Sequence, residues 1–230
     1  LGSNVGSVDI VEYAKRNGAY TIVADYYSAE YSMAKKVADE HVLISTGDIE
    51  GLSKVIEQYN IDAVLAGISE FNLLNAQKLA EKYNLPFYFN RRQWDLIEKK
   101  NEFRNLCEKY AVPCPKTYFI GNHIEEQQWK EIKYPAVIKP VDASTSAGVH
   151  ICFSENEMRL VEEDSFSKSV SKTIIVEEFV SGGEFTAHYL IANGKATLSC
   201  IDNRYPVSVH EGNVTTIPAA RIYPCIYIDE

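Results

Sequence analysis

Tyr134-Pro-Ala-Val-Ile-Lys-Pro-Val-Asp-Ala-Ser-Thr-Ser-Ala-Gly148, continued by Val149-His-Ile-Cys-Phe153 and later by Thr173-Ile-Ile-Val-Glu-Glu-Phe-Val-Ser-Gly-Gly-Glu184, is the stretch that decides the fold. An apolar strand carries Lys139 at its end. A polar loop without bulk follows, from Asp142 to Gly148. After a charged helical segment, a second apolar strand runs into Glu177 and Glu178. Glu184 stands seven residues beyond Glu177, just past Gly182-Gly183.

Each piece suits a nucleoside triphosphate. Small residues let backbone N–H groups and hydroxyls approach phosphate oxygens. A lysine on a strand supplies a positioned positive charge. A strand leaving its sheet exposes N–H and C=O groups that can pair with an adenine edge. A carboxylate can accept hydrogen bonds from both ribose hydroxyls. Taken singly, such pieces are common: Ser/Thr/Gly clusters usually form hairpin loops. The weight lies in the combination.

Ile138-Lys-Pro140, Ser144-Thr-Ser-Ala-Gly-Val149 and Val176-Glu-Glu-Phe-Val180 with Glu184 resemble the nucleotide-binding half of the ATP-grasp superfamily. That superfamily contains carboxylate–amine ligases such as D-alanine–D-alanine ligase, biotin carboxylase and the carbamoyl-phosphate synthase large subunit. The resemblance implies a role for each matched position. Lys139 contacts the α-phosphate side of ATP. Ser144, Thr145, Ser146 and Gly148 fold over the β- and γ-phosphates. Glu177, Glu178 and Val180 belong to a hinge that pairs with adenine through backbone atoms, and Glu184 binds the ribose. Lys100, in Lys100-Asn-Glu-Phe103, matches the family's basic residue that reaches the phosphates from a helix; Lys99 beside it blurs the register. The implied cofactors are ATP and Mg²⁺, with the metal ligands expected beyond Glu230. The implied reaction forms a carbon–nitrogen bond from a small carboxylate and an amine through an acyl phosphate. No general base is evident, so the catalytic residues are left unassigned, and a chain ending at Glu230 is expected to be inactive alone. The alternatives are a non-catalytic ATP-binding module and a dinucleotide-dependent oxidoreductase with Asp25 on the ribose. The second is disfavoured because Gly2-Ser-Asn-Val-Gly6 lacks the G-x-G-x-x-G pattern.

Composition agrees with this reading. A chain of 230 residues, 46% hydrophobic and 24% charged, can build two small domains. A net charge of −9 argues against a nucleic-acid surface. Five cysteines without a C-x-x-C pair read as reduced thiols in a cytoplasmic protein. No apolar run has the length of a membrane span. A homodimer is compatible with all of this.

The whole chain reads as α/β. A parallel, Rossmann-like domain over 1–112 precedes an α+β ATP-grasp lid over 113–180 and the beginning of the large ATP-grasp subdomain over 181–230. In the first domain helices are expected over 8–15, 31–39, 49–59 and 71–83. Strands are expected over 21–25, 41–44, 61–66 and 86–89. Asp48 is the expected N-cap of the third helix. Ligands of such sheets sit at strand carboxyl ends, which makes Ser69, Glu70 and Asn72 candidate substrate contacts. Capping of the following helix by Ser69 is the competing role. Beyond, helices are expected over 98–110, 125–131 and 155–163, and a hairpin turns at Asn193-Gly194. His188 faces the nucleotide or packs in the sheet, and Asp202-Asn-Arg204 faces substrate or forms a loop.

Overall fold

The structure is a computed structural model. It describes every residue except Val5, Ser144, Thr145, Glu211, Gly212 and 228–230, and leaves out the side chains of 207–210 and 213–217. The chain forms two compact units, Leu1–Trp94 and Asp95–Glu230.

In the first unit, β1 (Ile22–Asp25) and β2 (Glu40–Leu43) pair in parallel, with Ile22 opposite Glu40. The parallel pairing follows from the crossover between them, which contains the short helix α2 (Met33–Val37), after α1 (Ser7–Arg16). Two longer helices follow, α3 (Ile49–Tyr59) and α4 (Glu70–Tyr83). Asp48 caps α3 by accepting a hydrogen bond from Gly51 N at 2.9 Å, and Asn60 ends the helix in the left-handed region. Leu52 and Ile56, four residues apart, enter the core with Ala24, Val64, Ala66, Ala76 and Leu79. Lys35 is buried, with Nζ donating to the carbonyls of Asp25, Tyr27 and Val42. Burial holds its pKa below the usual lysine value, against the opposing pull of Asp25.

Two expected strands of this unit carry no ladder. Residues 61–66 and 86–89 are in neither helix nor strand. In the first, Val64 and Ala66 are buried while Ala63 and Leu65 are exposed. Alternation alone does not make a strand, which also needs a hydrogen-bonded neighbour. In the second, Phe87 stacks on Tyr88, Phe89 meets both edge-on, and Phe89 stacks on Trp94 at 5.2 Å between ring centroids.

Helix α5 (Arg91–Glu98) was not expected from the sequence. α6 (Lys100–Lys109) begins after Lys99, so the anticipated single helix over 98–110 starts two residues late. The second unit then builds an antiparallel sheet in the order β3-β6-β4-β5, from Thr117–Gly121, Ile174–Glu178, Ala136–Pro140 and His150–Cys152. The short α7 (Glu126–Trp129) and α8 (Glu155–Lys168) accompany it. The core is continuous: Ile124, Trp129, Ala136, Ile138, Cys152, Met158, Ile174 and Val176. Every residue of β6 from Ile174 to Glu177 is buried, as expected for a central strand covered on both faces. A second antiparallel sheet, β7-β8-β9, comprises Glu184–Ala192, Lys195–His210 and Asn213–Ile222. Asn193 and Gly194 turn its first hairpin with positive φ at both positions, 52° and 72°. Asp202-Asn-Arg204 lies in β8 and not in a loop.

Candidate functional site

Central strand β6 and its neighbour β4 place Lys139 opposite Ile175 and Val137 opposite Glu177. The side chains of Lys139 and Glu177 meet across this register as an ion pair. The guanidinium of Arg104, from α6, completes the group: Nε and Nη2 both donate to the Glu177 carboxylate, the second at 3.1 Å. Glu177 is only 1% exposed, against 19% for Arg104 and 17% for Lys139. Burial pushes the Glu177 carboxyl up, but Arg104 and Lys139 more than offset this and hold it below the usual carboxylate value. Two cations on one carboxylate leave the group net positive, which suits an anionic ligand.

Lys100 opens α6. Its backbone N–H donates to Val141 O at 3.0 Å and its Nζ to Ala143 O at 2.8 Å. This ties the helix start to the base of the loop between β4 and β5. The loop is also fastened on the α8 side. Asp142 accepts from Ser169 Oγ at 2.8 Å, Val170 N at 3.1 Å and Ser171 N at 2.7 Å. Burial alone would raise its pKa; these donors bring it below the usual value. At the far end, Ser165 Oγ donates to Gly148 O at 2.8 Å. Gly148 has φ +68°, and a Cβ there would lie 3.1 Å from Pro140 and 3.1 Å from Lys168. The position therefore needs glycine for both conformation and space. Ser146 takes φ 61° in the same loop. Ser144 and Thr145 lie outside the described residues.

The expected hinge divides. Glu177 is paired in the ladder on both sides, with Val137 and Thr117, and its side chain is committed to Arg104 and Lys139. Glu178 N donates to Lys116 O at 2.8 Å, and Phe179 N to Pro135 O at 3.3 Å. The chain leaves the sheet after Glu178, and Val180 is exposed. The backbone at Glu177 is thus held in the ladder, and Val180 lies beyond the end of the strand.

Glu184 begins β7 and pairs with Arg204 of β8 at 3.6 Å. The pleat places Thr186, His188, Asp202 and Arg221 on the same face of this sheet. Asp202 is fully buried and accepts from Arg221 Nη1 at 3.0 Å, with His188 Nε2 at 3.1 Å. Burial raises its pKa, but Tyr223, His188 and Arg221 together drive it well below the usual carboxylate value. His188 therefore belongs to a packed polar cluster.

Ser69, Glu70 and Asn72 lie in the other unit, at the start of α4. Ser69 Oγ accepts from Asn72 N at 3.4 Å, the capping role. Sequence reading missed Arg104, Arg221 and the pairing of Asp202 with His188 and Arg221. Arg104 follows Lys100 by four residues, the spacing that puts two side chains on one helix face. Asp202 and Arg204 alternate along β8 in the period of a strand.

Residues 132–216 match the family model for the ATP-grasp domain. Over these residues the chain is similar to the ATP-grasp domain. It is 27% identical to a formate-dependent phosphoribosylglycinamide formyltransferase of Sulfolobus acidocaldarius, over 97% of this chain and 52% of that one. It is 26% identical to the carbamoyl phosphate synthase large chain of Clostridium acetobutylicum, over 94% of this chain and 22% of that one. The fold resembles the ADP complex of an N5-carboxyaminoimidazole ribonucleotide synthetase, with a TM-score of 0.76 and 17% identity over 98% of this chain and 56% of that one. The chain thus spans about half the length of the first relative and about a fifth of the second. The ATP-grasp fold expected from Ile138-Lys-Pro140 and the strand into Glu177 is the fold observed.

Proposed function

We propose that this chain is the ATP-binding portion of an ATP-dependent carboxylate–amine ligase. One observation carries the reading. Lys100 is tied to the base of a glycine-requiring loop, and Lys139, on the strand leading into that loop, makes a net-positive group with Arg104 around Glu177. Such a site holds a triphosphate by charge and by close backbone approach. Lys100 and Lys139 would take the phosphates, the loop through Ser144, Thr145, Ser146 and Gly148 would cover them, and Val180 would meet the adenine. Glu178 stands beside Val180, and Glu184 is the candidate for the ribose.

ATP-grasp ligases use ATP and Mg²⁺. Among the described residues, no group of three or more His, Cys, Asp or Glu gathers to hold a metal. The chain's own contribution is positioning and charge: cations and loop N–H groups neutralise a phosphoryl group passing to a substrate carboxylate. An amine then displaces phosphate from the acyl phosphate. The partners on this reading are ATP, a small carboxylate and an amine, in the cytoplasm. Among the described residues, no helix is long and apolar enough to cross a membrane.

Calorimetric titration with ATP tests the reading. Lys139→Ala should weaken binding by about 1.5–3 kcal/mol, the worth of one charge-assisted hydrogen bond, with an unchanged circular dichroism spectrum. ATP affinity equal to that of the unaltered chain would sink the assignment. Binding of NAD in preference to ATP would restore the oxidoreductase alternative.

A further inference from the structure

The two cations around Glu177 share it unevenly. Glu177 stands opposite Val137 in the ladder, so Lys139, two residues along β4, lies diagonally across from it on the same face of the sheet. Among the described residues, Glu177 Oε1 accepts only from Arg104 Nε. Oε2 is shared by Arg104 Nη2, at 3.1 Å, and the Lys139 ammonium. The planar guanidinium therefore covers both oxygens, and Lys139 touches one. An ammonium has three N–H donors. Among the described residues, Glu177 is the one group paired with Lys139 Nζ.

This division decides what Lys139 can do. With Arg104 present, the guanidinium matches the carboxylate and the ammonium is surplus positive charge. Without Arg104, one ammonium and one carboxylate remain, and the pair is neutral. Glu177 is too buried for water to replace the lost donors, so it would hold Lys139 as its sole counter-ion. Arg104 also stands one helical turn after Lys100, whose Nζ donates to Ala143 O at 2.8 Å. One face of α6 thus fixes both the base of the β4–β5 loop and the partner of Lys139.

We propose that Arg104 is a positioning residue for ATP: it occupies Glu177, an internal anion that competes for Lys139, and so keeps the Lys139 ammonium available to a phosphate oxygen without touching the nucleotide itself. The proposal rests on the ATP reading above.

Calorimetric titration of ATP into the 230-residue chain and its variants tests it. Arg104→Met should weaken binding about tenfold, the order expected when a charge-assisted contact to phosphate is compromised. Adding Glu177→Gln to Arg104→Met should bring affinity back to within about threefold of Glu177→Gln alone, because the competing anion is then gone. In a Lys139→Ala background, Arg104→Met should change affinity by less than about twofold. A contact that only held α6 against β6 would be lost alike in the single and double variants, with no rescue. Where Arg104→Met does not give a folded circular dichroism spectrum, Arg104→Gln, neutral but still able to donate to Glu177, takes its place. Unchanged affinity in the single variant, or a tenfold loss that persists beside Glu177→Gln, would overturn the proposal. So would a tenfold loss in the Lys139→Ala background, which would put the guanidinium on the nucleotide. Absence of ATP binding by the unaltered chain would sink the ATP reading, and the proposal with it.

Discussion

Glu177 keeps its charge at 1% exposure because two cations share it. Arg104→Met should therefore leave a buried carboxylate with one partner, at a cost of about 2 kcal/mol in urea unfolding. Arg104→Lys should recover only part of this, since an ammonium cannot reproduce the two-pronged geometry. A midpoint unmoved by Arg104→Met would mean that the guanidinium is dispensable. The same carboxylate sets a pH dependence. Its folded pKa lies below the ordinary value of 4.5, so its contribution is complete above that pH and is lost as pH falls through the folded value. Stability should decline more steeply below pH 4.5 in the unaltered chain than in Glu177→Gln. Parallel pH profiles would argue against the depressed pKa.

At the scale of elements, the β4–β5 loop is held by its ends. Asp142 and Gly148 are both fastened to α8 or the segment just after it. Gly148→Ala would put a Cβ against Pro140 and Lys168 at φ +68°, a conformation costing about 1–2 kcal/mol for an L side chain. The loop should shift, and ATP affinity should fall about tenfold, which corresponds to about 1.4 kcal/mol. The neighbouring sheet, with its core of Ile138 and Val176, should persist. Amide spectra of β4 and β6 alongside the titration check this; unchanged affinity would remove the loop from the site. Helices α3 and α4 were legible because their signals are local. Asp48 and Ser69 cap them, and Asn60 and Asn84 end them in the left-handed region.

For the whole molecule, surface apolarity sets solution behaviour. Phe185, Tyr189, Leu190, Ile191 and Ile222 of the β7-β8-β9 sheet are each exposed. Exposed apolar surface of this extent favours association. Sedimentation of the 230-residue chain should show a mass that rises with concentration, and Leu190→Lys with Ile191→Lys should lower it. A monomer at all concentrations would show that these side chains are harmless despite their exposure.

The sequence by itself determined what short-range chemistry decides. Lys139 at a strand end, the small-residue loop closing at Gly148, the capped helices and the Asn193-Gly194 hairpin are each specified by neighbours a few positions away. So was the match of residues 132–216 to the ATP-grasp domain, since it is carried by those motifs. Tertiary structure alone decided which charges meet. Arg104 and Glu177 are 73 positions apart, and His188 and Arg221 are 33 apart. Their pairing depends on which strand lies beside which, and on a burial that leaves a carboxylate no water to turn to. It also decided that 61–66 has no ladder, because a strand is completed by its neighbour and not by its own residues.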